Sequence, residues 1–260
     1  MSKKPFKILL LGDIHGGHKA GLTPPAWQLK DDRNKRVAQL QKEMWKEYRH
    51  VLRKIGEVDL CICNGDAVEG SGCRSSGIEL ITTDLDEQVE IARRCLDAVP
   101  TDNYMFTYGT ASHTSEMVDW EKRLAGFFES PIKSNLFIKK YGVTMSIKHH
   151  IASSGVPYSR HGAVAKDRLW NVLWHDIDQA PLADVFIRSH CHYFQYAGTD
   201  RYLGMTLPAL QCPNTHYGAR RCQATVDWGV VEFTIDSNGE YSFKPHIVRL
   251  ENVKEKPIEC

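Results

Sequence analysis

Nothing in this 260-residue chain approaches the roughly 18 consecutive apolar residues of a membrane-crossing helix, so none is expected. Net charge is almost absent too. The 33 Lys and Arg against 32 Asp and Glu leave +1, too little for a global pull toward nucleic acid or an anionic lipid surface. No Cys-x-x-Cys pair occurs among the eight cysteines, at positions 61, 63, 73, 95, 191, 212, 222 and 260. That removes the sequence basis for a zinc ribbon or a dithiol redox motif. Reduced, packing thiols are expected instead: Cys61 and Cys63 alternate with Leu60 and Ile62 in an apolar run, where a small thiol packs well. Internal repeats and low-complexity tracts are missing as well, which argues against a repeat architecture. The apolar run Ile8–Leu11 ends after four residues at Gly12-Asp13. It is shorter than a signal-peptide core and is expected to be a buried first strand of a soluble, cytoplasmic protein.

What is present is ordinary globular material, with 42% hydrophobic, 25% charged and 10% aromatic residues. The expectation is one domain over residues 1–250, followed by a loosely held charged tail, 251–260. Strand and helix patterns alternate through the first two-thirds. Phe6–Leu11 predicts a strand, and the Gly- and Pro-rich stretch Gly16–Pro25 an irregular loop. Val37, Leu40, Met44, Tyr48, Leu52 and Ile55 recur at helical spacing across Asp31–Ile55. The other face of that helix is basic, since Lys30 to Lys54 holds nine Lys or Arg against four Asp or Glu. Val58–Cys63 predicts a second strand, and Asp84 with Glu87 three residues on marks the start of a second helix. A strand at Tyr104–Tyr108, a helix at about Ser115–Phe128 and a hairpin of Leu136–Lys139 with Val143–His150 follow. Next come a helix over about Ala163–Ile177, with Leu169, Trp170, Leu173, Trp174 and Ile177 on one side, and a strand at Ala183–Ile187. Tyr202–Leu210, Gly229–Ile235 and Tyr241–Val248 predict strands, the last two joined by a turn at Asp236–Gly239. The fold class expected is α/β, a layered sandwich of mixed sheets flanked by helices.

Acids and histidines gather where predicted strands end. Asp13 and His15 follow the first strand, Asp66 the second, and His113 the third. His149 and His150 end the fourth, and His190 and His192 follow the fifth. Open α/β sheets collect function outside the carboxyl ends of their strands. Each fragment alone is a turn residue or a surface histidine as readily as a ligand, whereas the ordered set points to a metal site. Mixed imidazole and carboxylate ligands suit Mn, Fe, Zn or Ni better than Mg or Ca.

These motifs, in this order, resemble the calcineurin-like metallophosphoesterase superfamily, whose pattern is D-x-H, G-D, G-N-H, a lone His and G-H-x-H. Here they read Gly12-Asp13-Ile14-His15, Gly65-Asp66, Gly109-Thr-Ala-Ser-His113, the His149-His150 pair and Ser189-His190-Cys191-His192, spanning residues 6 to about 195. The resemblance implies that Asp13, His15 and His192 hold one metal ion and that Asp66 bridges two. It implies that His190 with His149 or His150 holds the second, and that His113 stands beside the substrate. Two such ions acidify a water between them enough to give hydroxide near neutral pH. The activity implied is phosphate-ester hydrolysis, as a phosphodiesterase on nucleotide or nucleic-acid substrates, with manganese the leading metal. The superfamily includes nucleases and small diesterases. A phosphomonoesterase or protein phosphatase, or a catalytically weakened scaffold of this fold, are the alternatives. No obligatory protein partner is implied.

Two positions depart from the pattern. The Asn before the catalytic His is absent, leaving Thr110 or Ser112 as a poorer neutral ligand or a place for water. Ser189 replaces the glycine of the last motif. Within the histidine pair, adjacent strand residues face opposite ways. His149 shares its face with Val143, Met145 and Ile147, an expected core face, which favours His150 as the one that reaches the metals. Arg160, His161, Asn214 and His216 are weaker candidates for the cleft, and His18, His50, His175 and His246 are expected at the surface.

Overall fold

Alternation within single strands decides the layering. In β1 (Phe6–Leu11), Ile8 and Leu10 face one side while Leu9 and Leu11 face the other, and β2 (Leu60–Asn64) repeats this with Ile62 against Cys61 and Cys63. Strands buried on both faces need covers on both faces. The computed structural model describes residues 4–72, 75–113, 119–152, 154, 156–213 and 225–254. It supplies the covers as three helices on one side and a second sheet on the other.

The first sheet contains β3 (Tyr104–Thr107), β4 (Ile132–Lys133), β10 (Trp228–Ile235) and β11 (Tyr241–Val248), in the order β11-β10-β1-β2-β3-β4. Strands β1 to β4 run parallel, and β10 and β11 extend the sheet antiparallel. The second sheet, in the order β5-β6-β7-β9-β8, is built from β5 (Leu136–Lys140), β6 (Val143–Ile147), β7 (Val185–Arg188), β8 (Gln195–Thr199) and β9 (Tyr202–Thr206). Ile8, Leu10, Met145, Ile187, Met205 and Phe233 fill the space between the sheets. On the outer face of the first sheet, Leu9, Cys63 and Phe106 meet Met44 and Tyr48 of α1 (Asp31–Ile55), Val89 and Leu96 of α2 (Leu85–Leu96) and Leu124 of α3 (Trp120–Phe127). The fourth helix, α4 (Arg160–Asp176), lies against β7, β8 and β9. The expected class, mixed sheets flanked by helices, is the observed one.

The boundaries follow local chemistry. The side chain of Asp84 accepts from the backbone N–H groups of Asp86 and Glu87, capping α2 as its sequence suggests. The α3 helix starts at Asp119, whose carboxylate accepts from Lys122 N; the residues 114–118 expected before it lie outside the described residues. Strands β4 and β8 carry no sequence signal: one is two residues long, and the other, Gln195–Thr199, is an edge strand without alternation. After β11, the Glu43 carboxylate of α1 accepts from the Glu251 and Asn252 backbones, tying down the start of the charged tail; residues 255–260 lie outside the described residues. Among the described residues no helix is long and apolar enough to cross a membrane. Cys61, Cys63, Cys95, Cys191 and Cys212 are free thiols, and Cys73, Cys222 and Cys260 lie outside the described residues.

Candidate metal centre

The parallel strands β1, β2 and β3 and the parallel strands β6 and β7 end at the same rim, so the residues after them meet above the inter-sheet core. Their backbones turn sharply to do so. Among the described residues, nine non-glycine residues have positive φ; five of them are Asp13, His15, Asp66, His190 and His192, at 49° to 71°. An L-residue in that region costs roughly 1–2 kcal/mol, and such outliers cluster where function demands an orientation. Gly65 (φ 75°) turns in a crowded place beside them: a Cβ there would stand 2.6 Å from His149 Nδ1.

Among the described residues three trios of ligand-type atoms result. Asp13, His15 and His192 form the first, Asp66, His149 and His190 the second, and His15, Glu69 and His113 a third that shares His15 with the first, with the atoms of each lying within 4.8 Å of one another. In the first, His192 Nε2 is 3.1 Å and His15 Nε2 4.0 Å from Asp13 Oδ1. In the second, His149 Nε2 is 3.0 Å from Asp66 Oδ2 and also 4.0 Å from Asp13 Oδ1, so one imidazole touches both groups. The Thr110 hydroxyl sits 3.1 Å from Asp66 Oδ2, 3.3 Å from His149 Nε2 and 3.1 Å from His190 Nδ1.

Supporting bonds set the tautomers. His15 gives Nδ1 to Glu69 Oε2 (2.7 Å), and His149 gives Nδ1 to the Asn64 carbonyl (2.7 Å). His113 gives Nδ1 to the Glu69 carbonyl (2.6 Å). A carbonyl can only accept, so Nδ1 of His149 and His113 carries hydrogen and Nε2 is left for the site. The His113 Nε2 lies 3.9 Å from Asp66 Oδ2, and its ring is 4.9 Å from that of His15, edge to face. Two buried atoms of the first trio, Asp13 Oδ1 and His15 Nε2, make no well-aligned hydrogen bond, Asp13 Oδ1 having the His192 imidazole nitrogen beside it at 3.1 Å. Converging lone pairs without donors are what a cation site requires, and the donor set fits a divalent transition metal.

Electrostatics point the same way. Burial raises the carboxyls of Asp13 and Asp66, yet His192 and His149 outweigh it and hold Asp13 below, and Asp66 well below, the usual carboxylate value. Burial pulls His149 down, but Asp13 and Asp66 overcome it and push that imidazole up to about 10. Burial, helped by the charge on His149, pushes His190 down to about 4. Beneath Asp66, the fully buried Glu121 accepts from Ala67 N (3.0 Å) and Gly109 N (2.5 Å). Burial and the Asp66 charge raise its carboxyl to about 7.

The structure thus brings Asp13, His15, Asp66, His113, His149, His190 and His192 together. It corrects the preference for His150, which is exposed, its ring only tilted against that of His190 at 4.9 Å. His149 does share the apolar face of β6, but that face borders the inter-sheet core, and the site sits at the rim of that same core. Two further expectations are corrected. His18 and His246 are buried against Glu79 (3.4 Å) and Glu232 (3.1 Å), not at the surface. The Ser112 side chain and residues Asn214 and His216 lie outside what is described. Arg160 stacks over the Tyr193 ring at 4.1 Å, one residue beyond His192, while His161 is exposed. Sequence reasoning missed Glu69, Asn64 and Glu121. Glu69 had a faint signal, a carboxylate three residues after Asp66; Glu121 had none, being an ordinary position in a helical run.

No protein-family model matches the chain, and no curated protein matches it. Solved structures do. Vacuolar Protein Sorting 29 from Cryptosporidium parvum aligns at 10% identity and a TM-score of 0.48, covering 95% of this chain and 99% of that one. A novel archaeal phosphodiesterase aligns at 14% identity and a TM-score of 0.42, covering 92% and 99%. Wild-type Vps29 from Entamoeba histolytica, in complex with zinc, aligns at 9% identity and a TM-score of 0.43, covering 93% and 99%. The chemistry that follows rests on the chain's own residues.

Proposed function

We propose that the chain is a metal-dependent phosphoesterase, acting on phosphodiesters of the nucleotide or nucleic-acid class. The observation that carries this is the pair of trios joined through His149, 3.0 Å from Asp66 and 4.0 Å from Asp13. Asp13, His15 and His192 would hold one ion, His149 and His190 a second, and Asp66 would stand between them. Thr110, whose hydroxyl faces the second trio, would supply the neutral oxygen that the missing Asn would have given. Manganese leads, with iron, nickel and zinc compatible with the same donors. Ions bound there supply Lewis-acid charge toward a phosphoryl oxygen and acidify water.

The chain's own groups orient and move protons. Glu69 holds His15 through its carboxylate and His113 through its carbonyl, so one residue aims both Nε2 atoms. In its protonated form His113 can donate from Nε2 to a departing alkoxide or to charge developing on the phosphoryl group, with the Glu69 carboxylate 3.8 Å from its Nδ1 to support the cation. Arg160, stacked on Tyr193 one residue beyond His192, would offer a cation for a second phosphate oxygen. The exposed basic face of α1 adds support for a polyanionic substrate.

The test is metal-free protein reconstituted separately with Mn, Ni, Zn and Mg, assayed on bis-nitrophenyl phosphate and on nitrophenyl phosphate. Transition-metal-dependent turnover that favours the diester is expected. A faster monoester would move the reading to a phosphatase. No bound metal and no rate gained with Mn would end the enzyme reading.

A further inference from the structure

The α4 helix is amphipathic in the wrong direction. Its inward stripe is polar: Asp167 binds the buried Arg188 (2.5 Å), Arg168 Nη1 donates to the Ala183 carbonyl (2.9 Å), and Asn171 exchanges hydrogen bonds with Pro181 O (3.0 Å) and Ala183 N (2.9 Å). Val164 is the fully buried apolar residue of the helix, seated over Gly204 where any Cβ would clash with it. The large apolar residues point the other way. Leu169 is 59% exposed, Trp170 45%, Leu173 45%, Trp174 36% and Ile177 60%. At spacings of one, three and four they form a continuous stripe, and Trp170 and Trp174 stack on each other with centroids 6.1 Å apart.

An aromatic side chain carries about 150–250 Å² of burial area. The exposed fractions of two tryptophans and three aliphatics then leave an apolar patch of several hundred Å², the size at which an exposed patch marks an interaction site. One such patch, duplicated across a two-fold axis and given a polar rim, reaches the roughly 1,200 Å² total at which specific interfaces begin.

The charges indicate which partner. Lys166 lies on the outward face toward the N-terminal end, and Asp176 and Asp178 lie at the C-terminal end, all exposed. The first turn of α4 contains no acid, and an acid at the C-terminus opposes the helix's own dipole. His175 also stands in the last turn, but on the outward side the charges run from Lys166 to Asp176 and Asp178, an order of signs that an antiparallel copy complements. A two-fold axis passing between Asn171 and Val172 sets Trp170 against Leu173, Leu169 against Trp174, and Lys166 against Ile177 flanked by Asp176 and Asp178. Each pair then occurs twice, as an isologous interface requires.

We propose that α4 is the contact face of a homodimer, packed antiparallel against α4 of a second copy of this chain. Sedimentation or light scattering of the full chain, from micromolar to near-millimolar concentration, should show its mass rising toward twice that of one chain. Trp170→Glu should return it to one chain's mass at every concentration, with an unchanged circular dichroism spectrum, since that side chain lies on the outward stripe, 45% exposed, away from the polar contacts that seat the helix. Lys166→Glu and Asp176→Lys should each weaken the dimer at least tenfold, and the two together should restore most of the loss. A wild-type chain that stays monomeric throughout would assign the stripe to an unlike protein or a lipid surface and overturn the proposal. A dimer indifferent to Trp170→Glu, or charge variants that fail to compensate, would place the contact elsewhere and overturn it equally.

Discussion

A metal ion competing for the second trio must first displace a proton. His149 is held at about 10 against an ordinary value of 6.5 because Asp13 and Asp66 flank it, and their attraction exceeds the effect of burial. Metal binds the neutral imidazole. At pH 7, about three units below that value, roughly one His149 in a thousand is neutral, a handicap of about 4 kcal/mol on metal binding. Affinity at the Asp66–His149–His190 trio should therefore climb about tenfold per pH unit from pH 7 toward 9, with close to one proton released per ion bound. For the metal-free protein the sign runs the other way. A histidine raised on folding contributes stability that is complete below about 6.5 and lost as pH rises through about 10. The metal-free melting temperature should therefore fall across that window. Calorimetric metal titration in two buffers of different ionisation enthalpy counts the protons, and His149→Asn should abolish both the proton release and the slope. A flat affinity between pH 7 and 9, or a slope lost in His150→Ala and kept in His149→Asn, would refute the reasoning.

Three further outcomes follow from the same geometry. Asp66→Asn should deplete both metal positions while Asp13→Asn depletes the Asp13–His15–His192 position first, as read by metal stoichiometry of the purified variants. His113→Ala should keep its metal content and lose about 10²–10⁴-fold in turnover, most for alkyl or nucleoside leaving groups and least for nitrophenolate, in single-turnover comparison of the two ester types. Gly65→Ala places a Cβ 2.6 Å from His149 Nδ1 at a φ of 75°. It should therefore cost about 2 kcal/mol or more in denaturant unfolding, since the left-handed region alone accounts for roughly 1–2 kcal/mol.

Much of this protein could be read along the chain because its information is periodic or terminal. The short apolar runs at Phe6–Leu11 and Val58–Cys63, the helical spacing across Asp31–Ile55 and the Asp84 cap are local properties, and the elements stand where those signals put them, the second strand two residues later, at Leu60–Asn64. The location of Asp13, Asp66 and His190 at strand ends was equally visible, since parallel strands leave their carboxyl ends at one rim. What periodicity cannot supply is which side of an element the rest of the protein occupies. His149 and the apolar stripe of α4 show this. The β6 face of Val143, Met145 and Ile147, an expected core face, leads at its end into the site, and the apolar side of α4, which spacing marks out without saying what it faces, points away from the sheet. Glu69, Asn64 and Glu121 became part of the site through contacts 54, 85 and 54 positions apart in sequence. Local pattern holds no record of such distances, so only the packing of the two sheets could bring those groups to the metal ligands.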